Sequence, residues 1–125
     1  MGGSEHLIAL RKSLTAFLRA IHTRIYFEQA PTTVVFPYLV FDFQLYPDGE
    51  GLELCTLSVD GWDNKTDTTA LETLMSSVKL LDKATITNAE MSGAFYLENM
   101  IPLVDDDESI RRRQYNFAGR LYRRG

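Results

Sequence analysis

Apolar residues recur at steps of three and four between residues 4 and about 22, at Leu7, Leu10, Leu14, Phe17, Leu18 and Ile21, the period of one helix face. Ser4 is the expected N-cap, Glu5 complements the helix dipole in the first turn, and Arg11, Lys12 and Arg19 fall on the exposed side. The period then changes to two. Residues 25–27 read as a short strand, closed by Ala30-Pro31 and the polar Thr32-Thr33 link. The stretch 36–46 is the main strand: Leu39, Phe41, Phe43 and Leu45 share an apolar face, while Tyr38, Val40, Asp42, Gln44 and Tyr46 form a mixed one. Pro37, without an N–H, suits its first position. The turn residues 47–51 lead into a strand over 52–60 with Cys55, Leu57 and Val59 on its apolar face, so the two strands are expected to pair as an antiparallel hairpin.

Gly61-Trp62-Asp63-Asn64 is expected to break that strand. Asp63 or Asn64 then caps a second helix, from about Thr66 to Lys83, whose apolar face is Leu71, Leu74, Met75, Val78 and Leu81. A short strand over 84–87 and a longer one over 91–101 follow; in the latter Phe95, Leu97, Asn99 and Ile101 alternate with Ala94, Tyr96, Glu98 and Met100. After an acidic loop, residues 111 to about 122 read as a final strand. Tyr115, Phe117, Gly119 and Leu121 share its apolar face, and Gln114, Asn116, Ala118, Arg120 and Tyr122 a face polar enough for solvent or a partner. The order predicts an α+β fold, an antiparallel or mixed β-sheet with two amphipathic helices packed on one face. It is read as a single domain over residues 1–125, with 1–3 and about 121–125 disordered.

Composition agrees: 125 residues, 45% hydrophobic and 24% charged, describe one ordinary domain. At that size roughly two-thirds of the unfolded chain's surface is buried, so neither disulfide nor metal is needed for stability. Cys55, the only cysteine, excludes an intramolecular disulfide and reads as a buried, inert thiol. No apolar run resembles a signal peptide or a membrane span, which predicts a chain made and kept in the cytoplasm, without a membrane partner. Asn64-Lys65-Thr66 reads accordingly as a turn entering a helix.

Charge adds something the hydrophobic pattern does not. The net charge is −4, but between Arg24 and Lys65 every charged residue is an acid: Glu28, Asp42, Asp48, Glu50, Glu53, Asp60 and Asp63. The end inverts this, since Asp105, Asp106, Asp107 and Glu108 are followed by Arg111, Arg112, Arg113, Arg120, Arg123 and Arg124 with no further acid. Such segregation suits self-association of unlike surfaces and, alternatively, attraction of nucleic acid to the basic end.

Candidate chemistry is sparse. His6 and His22 stand sixteen positions apart in the first helix pattern, too far to share a metal, and read as solvated or capping groups. The four adjacent acids lack the D-x-D-x-D-G pattern of a calcium loop and read as a solvated or salt-bridging face; no metal is expected. The motifs G-x-S-x-G, H-E-x-x-H, G-x-G-x-x-G and the phosphate loop are all missing from the sequence, which supports neither an enzyme nor a nucleotide cofactor. Trp62, Tyr115, Phe117 and Tyr122 near six arginines have the makings of a base-stacking surface, but an RNA-binding sheet is ordinarily carried by a basic domain and this one is acidic.

The element order and several phrases resemble the phage tail terminator or tail-completion proteins, small head–tail joining subunits. The phrases are Arg24-Ile25-Tyr26-Phe27, Ala30-Pro31, residues 36–41, Leu57-Ser58-Val59-Asp60-Gly61-Trp62-Asp63, and Arg113-Gln114-Tyr115-Asn116-Phe117 after an acidic loop. The resemblance covers nearly the whole chain. It implies a virion structural protein of the tail or neck, not an enzyme and without cofactors, assembled in the host cytoplasm. The implied partners are further copies of itself in a ring, commonly a hexamer, the major tail tube protein and the head-completion or connector protein. DNA would pass through the ring without sequence-specific binding, for which an acidic lumen is suited. The ring interface is expected to set Asp105, Asp106, Asp107 and Glu108, or the turn bearing Asp48, Glu50 and Glu53, against Arg111, Arg112 and Arg113 or the C-terminal Arg120, Arg123 and Arg124 of a neighbour. The basic C-terminal end goes beyond that family pattern. The competing expectation is a small ligand-binding or regulatory domain of a cellular complex, with the Trp62 region as a pocket lip.

Overall fold

The two long alternating runs around the 47–51 turn pair in antiparallel register as β2 (Tyr38–Pro47) and β3 (Leu52–Asp63), with Phe41 opposite Val59 and Phe43 opposite Leu57. Gly49 and Gly51 turn the chain at φ of 76° and 80°, a region that strains other residues. The computed structural model describes the backbone over residues 2–124 and side chains over 5–124. The remaining elements are α1 (Gly2–Ile21), β1 (Ile25–Phe27), α2 (Thr69–Val78) with a 3-10 turn over Lys79–Leu81, β4 (Thr85–Thr87), β5 (Met91–Val104) and β6 (Arg111–Arg123). All six strands form one sheet in the order β1-β2-β3-β6-β5-β4. β1 runs parallel to β2 and every other neighbouring pair is antiparallel, so the sheet is mixed.

Both helices cover the same sheet face. Leu10, Leu14 and Leu18 of α1 and Leu71, Met75 and Val78 of α2 are fully buried in one core with Leu39, Phe41, Leu57, Val59, Phe95 and Phe117. The expected inner faces of β2, β3 and β6 hold through Leu121. The sequence reading of an α+β sheet under two helices is the observed architecture.

Several local expectations differ. α1 is already helical at Gly2, two residues before the expected cap; the Ser4 side chain lies outside the described residues. Leu7, on the periodic apolar face, is 47% exposed because it overhangs the edge of β2 beyond the short β1. β3 does not break at Gly61 but stays paired to β6 through Asp63 and Arg111. There the missing side chain admits α2: a Cβ on Gly61 would lie 2.5 Å from the Met75 sulfur and 3.1 Å from Leu71. Neither Asp63 nor Asn64 caps α2, which starts later. Instead Asp67 Oδ1 accepts hydrogen bonds from Thr69 N (2.9 Å) and Thr69 Oγ1 (2.6 Å), which hold its carboxyl below the usual range.

In β5 the alternation is broken by a bulge. Leu97 faces Phe117, but Asn99 faces Asn116 and Met100 faces Tyr115. One extra residue shifts the parity, so Asn99 and Ile101 leave the face of Phe95 and Leu97. The C-terminal stretch expected to be disordered from about 121 continues as strand through Arg123, with Leu121 opposite Gly93 and 1% exposed. Gly2 and Gly3 stand in α1, and Met1 and Gly125 lie outside the described residues.

Candidate assembly surfaces

The sheet face turned away from the helices carries the polar parity of β2, β3 and β6. At one end Tyr38 and Trp62, opposite each other in register, stack with ring centroids 5.9 Å apart and 9° between planes. Arg112, opposite Trp62 on β6, sets its guanidinium carbon 4.4 Å from the indole centroid. Such cation–π contacts are worth about 0.5–2 kcal/mol. Phe36 and Tyr26 extend the cluster, at 5.3 and 6.3 Å from Tyr38. Beside it lies a recess of about 460 Å³, lined in part by Gln29, Pro31, Val34, Phe36, Tyr38 and Trp62. Burial, with the nearby negative charge of Asp105 second, pushes the Tyr38 hydroxyl above its ordinary value.

A polar network continues from this cluster across three strands. Arg112 Nε (2.9 Å) and Nη2 donate to Asp60 Oδ2, and Gln114 Nε2 donates to Asp60 Oδ1 at 3.1 Å. Asn116 Nδ2 donates to Gln114 Oε1 (3.1 Å) and to Asn99 Oδ1 (2.7 Å), while Ser58 Oγ donates to Asn116 Oδ1 (2.6 Å). The β5 bulge is what brings Asn99 to this face.

The charged residues singled out in the sequence are distributed differently from their order along the chain. Asp48 and Glu50 are exposed in the β2–β3 turn. Glu53 is buried, and Oε1 accepts from Arg123 Nε at 3.0 Å and Nη2 at 2.8 Å. His6, expected to be solvated or capping, is buried beside it, with Nδ1 3.5 Å from Glu53 Oε1. Arg112 pairs with Asp60, and Arg113 Nε lies 3.1 Å from Glu72 Oε1. Arg111 and Arg124 donate to backbone carbonyls of Glu108 (2.6 Å) and Asn88 (2.8 Å), and Arg120 is exposed. The antiparallel pairing of β3 with β6 therefore folds much of the sequence's charge segregation into ion pairs within the chain.

The 105–108 loop stays apart from this cancellation. Asp105 Oδ1 accepts from Asp107 N at 3.0 Å, and Asp107 Oδ1 accepts from Ser109 Oγ at 2.7 Å and Ser109 N at 2.9 Å, which hold the Asp107 carboxyl below the usual range. The three Arg–carboxylate ion pairs and the His6–Glu53 contact found among the described residues include none of Asp105, Asp106, Asp107 or Glu108. No group of three or more His, Cys, Asp or Glu side chains is placed to hold a metal among the described residues. Burial, with Glu53 adding to it, pushes the Cys55 thiol up to about 12.

Sequence reasoning missed Ser58, Asp60, Gln114 and Asn116 as a connected set, the separate pair of Glu72 with Arg113, and the contact of His6 with Glu53. For the network, the available signal was the polar parity of β3 and β6, since Ser58, Asp60, Gln114 and Asn116 all occupy it. For Glu53 the signal was its inward parity with Cys55, Leu57 and Val59.

No family model and no curated protein matches the sequence. Among solved structures, a chain of "Virion of native gene transfer agent (GTA) particle" matches with a TM-score of 0.69 and 14% sequence identity, covering 90% of each chain. At that identity the likeness shows a shared fold.

Proposed function

We propose that the chain is a structural, non-enzymatic subunit of a virion, and that within this class it is a tail terminator. Further copies, in a ring of about six, would cap the last ring of the tail tube and offer the surface to which the head connector docks. The ring's opening would let DNA pass without sequence-specific contacts. The observation that carries this reading is the shared fold, over 90% of both chains, with a chain of a virion. Two features of the chain support it: an uncovered sheet face with an aromatic cluster at one end, and an acidic loop without an ion-pair partner among the described residues. Unlike patches on one subunit are what a head-to-tail ring requires.

Electron microscopy of particles from producer cells lacking the chain tests the reading. Heads separate from tails, with tails of irregular length, are the expected result. Joined particles of normal tail length would contradict it.

A second reading, a small-ligand site, has one observation in its favour: Trp62 Nε1 is buried beside the aromatic recess with no hydrogen-bond partner among the described residues. A metabolite that raises the melting temperature of the wild type but not of Trp62→Phe would favour it.

A further inference from the structure

The outer sheet face holds more negative charge at one place than its own ion pairs neutralise. A recess of about 270 Å³ opens over β2 and β3 and shares Glu28, Val40 and Trp62 with the larger aromatic recess beside it. The charged residues lining the two are Glu28, Asp42, Asp60 and Arg112, three carboxylates against one guanidinium. Arg112 is engaged by Asp60, whereas Glu28 and Asp42 belong to no ion pair among the described residues. Arg11 of α1 lines a third recess together with Glu28 and Asp42 but forms an ion pair with neither. The lining therefore carries two negative charges in excess, and one when Arg11 is counted.

Local structure places these groups. Glu28 directly follows β1, and its amide donates to the Phe41 carbonyl at 2.8 Å, which ties it to the edge of β2. Asp42 has the outer parity of β2, and its Oδ1 accepts from the Phe43 amide at 2.8 Å. Val40 stands between Asp42 and Tyr38 on that face, opposite Asp60, and Trp62 lies opposite Tyr38. The wall already holds one organic cation. The Arg112 guanidinium carbon is 4.4 Å from the indole centroid, and its Nε is 2.9 Å from Asp60 Oδ2. A ring face beside carboxylates suits a cation on an apolar stem, which gains from both. Calcium and magnesium instead require a cage of oxygens, and no group of three or more His, Cys, Asp or Glu is placed for one among the described residues.

We infer that the joined recesses bind an organic cation, an alkylammonium or guanidinium group seated between Glu28 and Asp42 with its stem along Val40 and Trp62. Such a group has two sources, a free polyamine and a lysine or arginine side chain of a neighbouring protein. The inference rests on the small-ligand reading of this region and supplies its ligand class; it is independent of the tail-terminator reading, since a virion subunit can carry such a site.

Trp62 is the only tryptophan, so one indole N–H cross-peak in a nitrogen-15 spectrum reports the site. The probes are spermidine and acetyl-arginine methylamide, with potassium chloride and magnesium chloride at matched ionic strength as controls. The expected result is a saturable shift of the indole cross-peak and of the Glu28 and Asp42 amides with at least one probe, and no saturable shift with either salt. Spermidine binding about tenfold tighter than the arginine derivative assigns the site to a free polyamine; equal binding or the reverse order assigns it to a protein side chain. Glu28→Gln and Asp42→Asn should each weaken binding about threefold, and the double variant about tenfold. Both side chains are exposed, so the melting temperature of the free variants should stay that of the wild type. No saturable shift with either probe, an equal shift with magnesium chloride, or a titration indifferent to the double variant overturns the inference. A neutral metabolite that still raises the melting temperature of the wild type but not of Trp62→Phe would then leave the small-ligand reading standing without this ligand class.

Discussion

The two faces of the one sheet are built from the same strands in alternate positions, yet they are held by different physics. On the helix side Leu39, Phe41, Leu57, Val59, Phe95 and Phe117 are at most 1% exposed, and their burial under α1 and α2 supplies the folding free energy. On the other side Asp60, Gln114, Asn116, Asn99 and Ser58 are joined by hydrogen bonds that exchange for water at little net gain. That face contributes less to folding and more to what the surface presents: it fixes Arg112 over Trp62 and Trp62 against Tyr38. A substitution on the inner face should therefore unfold the subunit, whereas one on the outer face should leave it folded and alter its contacts.

The largest expected effect comes from Phe41→Ala. Its ring is buried and lies 5.1 Å from Phe27, so the cavity should cost about 3–5 kcal/mol in chemical denaturation. A loss under 1 kcal/mol would mean the inner face does not carry the fold. Asp60→Ala should cost less, about 1–3 kcal/mol, because Arg112 is 30% exposed and recovers water while Gln114 loses an acceptor. Tryptophan fluorescence should change with it, since Arg112 is freed from the position above the indole. A loss as large as that of Phe41→Ala would erase the distinction between the faces.

The smallest effect concerns the acidic loop. Hydrogen bonds from Ser109 favour the ionised Asp107 and depress its folded-state value, so their contribution is fully present above the ordinary 3.8 and is lost as pH falls through the lower folded value. A carboxyl resonance of Asp107 titrating below 3.8, and returning towards it in Ser109→Ala, is the expected NMR result.

Much of this fold was legible in the sequence because period two and period three-to-four patterns are enforced by burial on one side. Leu10, Leu14 and Leu18, or Phe41 and Phe43, announce both their element and their face. Gly61 misled because a glycine beside Trp62, Asp63 and Asn64 resembles a strand end, while here its missing Cβ serves the approach of α2, a tertiary requirement. The β5 bulge was hidden for a related reason: Asn99 and Ile101 continue the alternation of Phe95 and Leu97 in sequence, and only the pairing with Asn116 reveals the change of face. The charged surface was least legible. Arg112, Arg113 and Arg123 read as a free basic end, but strand order places them beside Asp60, Glu72 and Glu53, which are 41 to 70 positions away in the chain. The segment 105–108 was expected as an acidic loop and is one, with its carboxylates outside the ion pairs found among the described residues.

The most direct test of a self-assembling virion subunit is sedimentation of the 14.2 kDa chain alone and mixed with purified tail tubes. The prediction is a closed oligomer of about six copies, either free in solution or bound at tube ends, and sensitive to salt. A chain that sediments as a monomer at every concentration and leaves the tubes unbound would contradict it.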